Sequence, residues 1–563
     1  MSYPDPHQPP QWQPQQPGGP FPGPPPGPGA APPGVPGQQY AAPGGPGFPG
    51  HPGGPGYGGP GYPGGPGGPT PPAAPRKRNR WLIPAAAGAA VVVMAGTVWA
   101  TVSLVSFGGP QPEEVLPGNS VAFGKLDLAI DGPQAIELLE FVDRLPAELT
   151  EDTADTDEDM TAVFAETLVE AFPESSLEQD RVEEWIGQRI GFSVWPASAG
   201  AELEEGSGVA LAIALAVEEP RMAEEDFSDI AATQNDIFYT VDGDYVVFTY
   251  SQAALDDREG QIQEHGTLAD ADTFSGDLKE VPDGSVAMAW ADLGAAMEIE
   301  AFANEISSDL SAAPADFSGR TTASLRVDGD YLEARMDVFG FTVNDADLAW
   351  MSDAPGESVS ALGSLPDNTV IALGASGLDQ ALIDAYTNEE IPLFSSSGQQ
   401  QEFEREFNGL GISLPEGISD LLGSSTAFGI TDIDLSSFFN GYGGDQLSFQ
   451  YRAVGGDETA IGDLIEAVSD PYATPPGISS EGGTVVVSQG SSGTGQLADD
   501  PVFQQTMQEM DSAVIAGYFD MRQVLTAQDV QNPEEWGAFG LALSVTDEGQ
   551  RGSLELRWSP SAG

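Results

Sequence analysis

The pattern of hydrophobic and polar positions divides the chain into three regions. Residues 1–75 hold Pro, Gly, Gln and Tyr with almost no aliphatic side chains. Residues 81–107 carry no charge, and residue 108 onward alternates short apolar runs with polar, acidic stretches. A segment like the first buries too little apolar surface to offset its chain entropy, so we predict a disordered Pro/Gly-rich tail over 1–75.

The uncharged segment predicts a single transmembrane helix. A spanning helix needs about 20 apolar residues, and four basic residues at 76–80 directly precede this one. Short flanks rich in Lys and Arg stay in the cytoplasm, which places 1–75 inside and residue 108 onward outside the plasma membrane. A cleaved signal peptide is the alternative, but its apolar core is only about 7–15 residues long. We therefore expect a basic flank and an anchor helix over 76–107.

The outer part predicts strands and helices in alternation. GVALAIALAV at 208–217 and DYVVFTY at 244–250 are apolar and alternating, which is typical of buried or half-buried strands. PQAIELLEFVDRL at 133–145 and GDLIEAV at 462–468 have the three-to-four spacing of an amphipathic helix. The predicted fold class is therefore α+β, with mainly antiparallel sheets covered by helices.

An internal repeat predicts the domain organisation. LPGNSV at 116–121 returns as LPDNTV at 365–370, and each is read as a turn, a strand and then an aspartate, Asp127 or Asp379, that caps a helix. Further matches follow in the same order: 189–195 with 425–430, 208–217 with 445–454, 244–250 with 483–489, VAMAWADL at 286–293 with VIAGYFDM at 514–521, and a closing hairpin at 323–338 with one at 540–559. We predict two homologous tandem halves, 108–345 and 363–563, each with its own sheet, joined by 346–362.

Charge limits the partners of the outer part. Of the 19 basic residues four lie at 76–80, and of the 87 acidic residues one precedes residue 108, so the outer part holds 15 basic and 86 acidic residues. Nucleic acid and anionic lipid are poor partners, because their phosphates would be repelled. Cations, basic peptides and cationic or other envelope polymers remain candidates. The alternative is that acidity is an adaptation to concentrated salt, with no binding role.

Most catalytic chemistry finds no support in the chain. It has no cysteine and three histidines, of which only His265 lies in the outer part. These counts exclude zinc and thiol chemistry. The chain also lacks the G-x-S-x-G motif that holds the nucleophile of many serine hydrolases. Gly493 to Ala498 fits G-x-G-x-x-A, but Asp499 and Asp500 follow and would repel a pyrophosphate, which favours a loop.

One acidic cluster resembles a calcium loop. Asp155, Asp157, Asp159 and Glu166 stand at positions 1, 3, 5 and 12 of that pattern, so Ca²⁺ is the one cofactor for which the sequence offers candidate ligands. Met160 occupies the sixth position, where the loop requires Gly. The alternative is an acidic surface loop that leads into a helix N-terminus, where negative charge is favourable.

Several segments resemble a known family. EEVLPGNSVAFGKLDL at 113–128, WIGQRIGFSVWP at 185–196, DGDYVVFTYSQAAL at 242–255 and DPVFQQTM at 500–507 carry the resemblance. They are similar to the exported, single-anchor proteins of actinobacteria known as domain of unknown function 3352. The resemblance covers most of 110–560 and implies the topology and the location. It assigns no activity and no catalytic residue.

Three functions follow as hypotheses. The first is a non-enzymatic binding or sensing module of the cell envelope, whose similar halves hold a small apolar molecule, a peptide or an envelope polymer. The second is a carboxylate-dependent hydrolase of envelope glycans, which needs two carboxylates at a fixed separation in a pocket. The third is an envelope scaffold that recruits partners through the cytoplasmic tail.

Overall fold

A computed structural model gives the structure of much of the chain from residue 111 to residue 561. It describes residues 111–127, 137, 140–142, 144–146, 160–173, 175–234, 236–301, 303, 317–343, 346–352, 354, 356–388, 397–432, 448–469, 474–490, 493–526, 528 and 530–561. The predicted tail, the basic flank and the predicted anchor at 81–107 lie outside these ranges. Among the residues described here, no helix has the length and apolar character needed to cross a membrane.

The strands range from 5 to 13 residues in length. Their bounds are β1 Ala122–Asp127, β2 Ile186–Pro196, β3 Val209–Val217, β4 Phe238–Asp242, β5 Tyr245–Thr249, β6 Ser285–Asp292, β7 Phe317–Asp328, β8 Tyr331–Val343, β9 Ile371–Ser376, β10 Ser425–Asp432, β11 Ser448–Val454, β12 Gly477–Glu481, β13 Thr484–Gln489, β14 Ile515–Asp520, β15 Ala538–Thr546 and β16 Arg551–Ser559.

The helices lie between the strands. The described α-helices are α1 Met160–Ala171, α2 Gln179–Glu183, α3 Pro220–Thr233, α4 Gln252–His265, α5 Asp272–Leu278, α6 Leu293–Met297, α7 Ala349–Ser352, α8 Ser358–Gly363, α9 Leu378–Asn388, α10 Ser397–Gly409, α11 Gly417–Leu422, α12 Glu458–Val468, α13 Pro501–Thr506 and α14 Met521–Thr526. Short 3₁₀ turns occupy Pro112–Val115, Leu268–Asp270, Leu497–Asp499, Pro533–Trp536 and Asp547–Gly549.

All the described strands pair into one antiparallel sheet of 16 strands. Its order is β12-β13-β11-β10-β9-β14-β15-β16-β8-β7-β6-β1-β2-β3-β5-β4. Read outward from the middle, β8 to β4 and β16 to β12 follow the same order of elements. The predicted α+β class with antiparallel pairing is confirmed. The sequence predicts one sheet in each half, whereas here the two runs of strands meet edge to edge through β8 and β16.

Both faces of β3 and β5, in the first run of strands, are buried. All five residues of β5 are buried, because Tyr245 and Val247 face one core and Val246 and Phe248 face the other. The first core includes Phe274 of α5, and the second includes Phe227 of α3. This two-sided burial explains why β3 and β5 are apolar on both faces, which is unusual for an antiparallel sheet.

The second run has the same kind of core on one face. Leu362 of α8 and Phe503 of α13 pack with Ala372, Ala516 and Tyr518. On the other face, α11 and α12 cover only the outer strands, where Ile461 packs with Val485 and Val487. On the inner strands of that face a smaller cluster joins Val524 of α14 to Ile371 of β9 and Phe519 of β14.

Two turns hold the paired LP motifs in matching ways. The amide of Leu268 donates to the carbonyl of Leu116, and the amide of Leu497 donates to that of Leu365, both at 2.8 Å. The hydroxyl of Ser120 donates to the carbonyl of Pro117 at 2.6 Å, and that of Thr369 to Pro366 at 2.7 Å. The motif therefore pins the start of β1 and of β9 to a distant 3₁₀ turn in the same geometry.

Several predicted elements are present with small corrections. The strands predicted at 189–195, 208–217 and 483–489 are confirmed as β2, β3 and β13, and Asp292 ends β6 as expected. Asp379 is not the cap of α9: the helix begins at Leu378, so this aspartate lies inside its first turn and accepts the hydroxyl of Ser419 at 3.0 Å. Most of the helix predicted at 133–145 lies outside the described residues.

Candidate functional site

Three of the four calcium-loop residues lie outside the described structure. Asp155, Asp157 and Asp159 lie outside the described residues, and Glu166 is an exposed residue of α1. Within the described ranges no group of three or more acidic or histidine side chains could hold a metal ion. His265 ends α4 and is 42% exposed beside Glu264. The calcium site stays a prediction.

The G-x-G-x-x-A segment hydrogen-bonds to the LPDN turn at residues 365–368. The amide of Gly493 donates to the side chain of Asn368 at 2.7 Å, and the amide of Gly495 donates to Asp367 at 2.9 Å. These amides therefore hold the LPDN turn. The structure assigns them a partner within the chain.

The central strand pair has two chemically different faces. β8 and β16 run antiparallel over eight residue pairs, from Leu332 opposite Trp558 to Phe339 opposite Arg551. Because successive side chains of a strand point to opposite faces, the segments LEARM at 332–336 and LELRW at 554–558 place charged residues on one face and apolar residues on the other. We call these the charged face and the apolar face.

The charged face is buried. The side chains of Glu333 and Arg557 are 2% and 3% exposed, and they form an ion pair at 3.3 Å between the two strands. Arg326 of β7 donates to both oxygens of Glu333 at 2.9 Å, and Glu555 lies 2.5 Å from Arg557. Buried charges of this kind persist only when they are paired.

A second ion cluster continues along the same face. Asp337 accepts hydrogen bonds from Arg335 at 3.0 Å and from Arg551 at 3.0 Å, and Arg551 also contacts Glu280. The guanidinium of Arg557 lies 4.2 Å from the ring centroid of Tyr331 and donates to the carbonyl of Gln508 at 2.6 Å. The charged face therefore fastens β7, β8 and β16 to the segment after α13.

The two glutamates of this face titrate differently. Burial, with further contributions from Glu333, raises the pKa of Glu555 to about 6. The pKa of Glu333 is lowered, because the hydrogen bonds from Arg326 and the charge of Arg557 outweigh its burial. Glu555 is therefore the member of the pair that takes up a proton first.

The apolar face extends over six neighbouring strands. Its members, on β9, β14, β15, β16, β8 and β7, are residues 371, 373, 375, 515, 517, 519, 539, 541, 543, 545, 552, 554, 556, 558, 332, 334, 336, 338, 321, 323, 325 and 327. None of these 22 residues is charged, and Thr321 is the one with a polar side chain.

This face is open at its middle. Leu373, Leu554, Leu556 and Met336 are 56%, 39%, 42% and 44% exposed, and they are four of the six large hydrophobic residues that stand exposed in the described structure. Monomeric soluble proteins rarely expose a contiguous apolar patch of this kind without a binding role.

The exposed part of the apolar face has defined ends and an uneven surface. At one end the ring of Phe141 meets the ring of Trp558 edge to face at 6.0 Å. At the other end Leu348 lies within 2.8 Å of the position that a Cβ at Gly552 would take. Gly517 lies between Leu373 and Leu541 in one row of directly paired residues, so the row has a low point there.

Sequence reasoning missed this site because it inverts a usual rule. In an alternating strand the charged residues normally face water and the leucines face the core. Here Glu333 and Arg557 are buried whereas Leu554 and Leu556 are exposed. The available signal was the mixed sign of the charges, since Glu and Arg at alternate positions can pair with each other in a low-dielectric interior.

Comparisons of the chain with protein-family models, with curated proteins and with solved structures find no match.

Proposed function

We propose that this chain is a membrane-anchored, extracytoplasmic and non-enzymatic binding module of the cell envelope, and that its apolar face holds an apolar ligand. The observation that carries the proposal is the uncharged face of 22 residues, four of them large and exposed, in a chain whose net charge is −68. In so acidic a protein, an apolar surface kept in contact with water costs stability and solubility. A bound ligand offsets that cost.

The proposal includes a duplication of the outer part into two homologous halves. The common strand order on either side of β8 and β16, and the matching contacts of Leu116 and Leu365, support it. The ring pairs Phe274–Trp290 and Phe503–Tyr518, 5.4 and 5.1 Å apart at matching positions, support it further. Under this proposal the ligand lies where the halves meet.

The anchor at 81–107 and the basic flank complete the proposed topology. They would hold the binding face outside the membrane, next to the lipids and polymers of the envelope. A cytoplasmic tail of Pro and Gly would leave the outer part free of any fixed partner inside the cell. This part of the proposal rests on the sequence and on the resemblance to the domain of unknown function 3352.

Binding of a solvatochromic apolar dye to the full-length chain tests the proposal. The variant Leu554→Ser with Leu556→Ser removes the centre of the apolar face, and both residues are exposed enough for the fold to tolerate the change. The matched control is Val468→Ser, which alters a residue that is 64% exposed at the end of α12. We expect the dye signal to fall in the first variant and to stay in the second. Equal signals in the two variants and the parent chain would overturn the proposal.

A further inference from the structure

The apolar face offers a ligand no hydrogen-bonding side chain beyond the hydroxyl of Thr321 and the indole N–H of Trp558, and both of these already donate to backbone carbonyls. The backbone amides and carbonyls of its strands are used in the ladders of the sheet, and 21 of the 22 side chains are apolar or absent. A peptide or a glycan laid on this face would leave its own amides or hydroxyls without partners. Each such group costs about 1–3 kcal/mol when it is buried unpaired. The face therefore selects hydrocarbon.

One row of the apolar face is long enough to hold an extended hydrocarbon chain. Leu373, Gly517, Leu541, Leu556 and Ala334 are directly paired from β9 to β8. With about 4.8 Å between neighbouring strands, this row is about 19 Å long. The small residues Gly517 and Ala334 lie between and beside leucines, so the row is lower than its flanks at two points.

Charge selects among lipid headgroups. Of the 15 basic residues of the outer part, 11 are engaged in described ion pairs: Lys125, Arg144, Arg181, Arg189, Arg258, Arg320, Arg326, Arg335, Arg522, Arg551 and Arg557. The acidic residues outnumber the basic ones several times over, so the electrostatic field of the protein as a whole repels anions. A zwitterionic or uncharged headgroup meets no such barrier.

We infer that the apolar face binds the acyl chain of a lipid whose headgroup is not anionic, extended across the strands along the row from Leu373 to Ala334. This inference rests on the proposed function and specifies its ligand. The chain lies over the pairing of β8 with β16, whose opposite face carries the Glu333–Arg557 ion pair. The aromatic rings of Phe519, Phe539 and Trp558 contact one another in sequence beside this row.

Photo-crosslinking with a lysophosphatidylcholine that carries a diazirine on its acyl chain tests the inference. The full-length chain is held in nanodiscs, and the labelled peptides are mapped by mass spectrometry. We expect adducts on β8, β15 and β16. Unlabelled lysophosphatidylcholines should compete about fourfold better for each added methylene until the row is filled, the fold-change that corresponds to about 0.8 kcal/mol per buried methylene.

The variant Gly517→Leu fills the low point of the row. A Cβ at this position meets only ordinary contacts, the closest being 3.5 Å from Leu541, so the strand can accept a side chain. We expect labelling of β8, β15 and β16 to fall by at least about tenfold, the loss of about two buried methylenes. The matched control is Gly260→Leu on α4, where an added Cβ meets nothing within 4 Å, and its labelling should equal that of the parent chain.

Three results overturn the inference: adducts confined to 81–107, labelling unaffected by Gly517→Leu, or competition that does not depend on chain length. If the chain shows one of these results but its dye binding still depends on Leu554 and Leu556, the proposed binding function stands and only the acyl ligand is wrong. If dye binding does not depend on these two residues either, both the proposed function and the acyl ligand are wrong. An anionic lysophosphatidic acid of equal chain length should label more weakly, and equal labelling would contradict the argument from charge.

Discussion

Arg335 and Glu555 lie directly opposite each other in the middle of the β8–β16 pairing. Each stands four residues after the first residue of its strand, Tyr331 in one hairpin and Arg551 in the other. A strict repeat would place two identical side chains face to face at this point, and two like charges there would repel. With Arg on one strand and Glu on the other, the central pairing is favourable and the two strands are not interchangeable.

The buried ion pairs of the charged face make a strong stability prediction. Replacing Arg557 by Ala would leave Glu333 and Glu555 close together with one fewer cation, and we expect the free energy of unfolding to fall by about 3–5 kcal/mol. Arg144→Ala is the control, since Arg144 pairs with Asp330 at a more exposed site and should cost at most about 1 kcal/mol. Denaturant unfolding measures both, and equal small losses would contradict a buried, interdependent network.

Glu555 predicts a specific dependence on pH. Its pKa of about 6 in the folded protein lies above the ordinary 4.5, so the folded state binds the proton more tightly than the unfolded chain. Ionised Glu555 therefore costs free energy above pH 6, and this cost vanishes as the pH falls through 4.5. Glu555→Gln should stabilise the protein at pH 8 by up to about 2 kcal/mol and match the parent chain below pH 4.5.

The control for that comparison is Glu259→Gln, which alters an exposed residue of α4. Its melting temperature should follow that of the parent chain at every pH. If Glu555→Gln destabilises the protein at pH 8, the attraction between ionised Glu555 and Arg557 exceeds the cost of burying that charge. The predicted sign would then be wrong.

Two aspartates at matching strand ends should differ in importance. Asp520 is 1% exposed and accepts hydrogen bonds from Arg522 and Gln523, including Nη2 of Arg522 at 2.7 Å. Asp292 accepts the amide of Ala295 at 2.9 Å at the start of α6. We expect Asp520→Ala to cost about 3–5 kcal/mol and Asp292→Ala about 1 kcal/mol, measured by denaturant unfolding. The reverse order would mean that the Arg522 cluster is not a stabilising unit.

The acidic surface predicts a response to salt. Because most basic residues after residue 108 are engaged in ion pairs, the remaining charges of that region are nearly all negative. Raising NaCl from about 0.1 to 1 M shortens the Debye length from about 10 to about 3 Å and screens their repulsion. The melting temperature of the full-length chain should rise, as circular dichroism would show. A constant or lower melting temperature would mean that acidity carries no repulsive cost.

The sequence predicted several strands well because those strands are apolar runs bounded by turn residues. β3 and β13, and the Asp that ends β6, follow directly from such patterns. The two LP motifs also precede β1 and β9, which take corresponding places in the strand order on either side of β8 and β16. Apolar periodicity is a local property, and these elements depend on it alone.

The joining of the two runs of strands, and the apolar face, could not be predicted from the same pattern. Glu333 and Arg557 are 224 residues apart, so their pairing is not a local property. Without that pairing, the charges of LEARM and LELRW point to solvent and their leucines point inward. The ion pairs reverse this orientation, and the sequence pattern therefore did not reveal the candidate binding face. The calcium pattern at Asp155 to Glu166 could be found because it is defined by local spacing alone.

The most direct test is native mass spectrometry of the full-length chain purified from its own host, with the Leu554→Ser, Leu556→Ser variant beside it. We predict that the parent chain carries an additional mass of a lipid, that this mass leaves on denaturation, and that the variant lacks it. A parent chain with the mass of the bare polypeptide, or a lipid retained equally by the variant, would contradict a binding role for the apolar face.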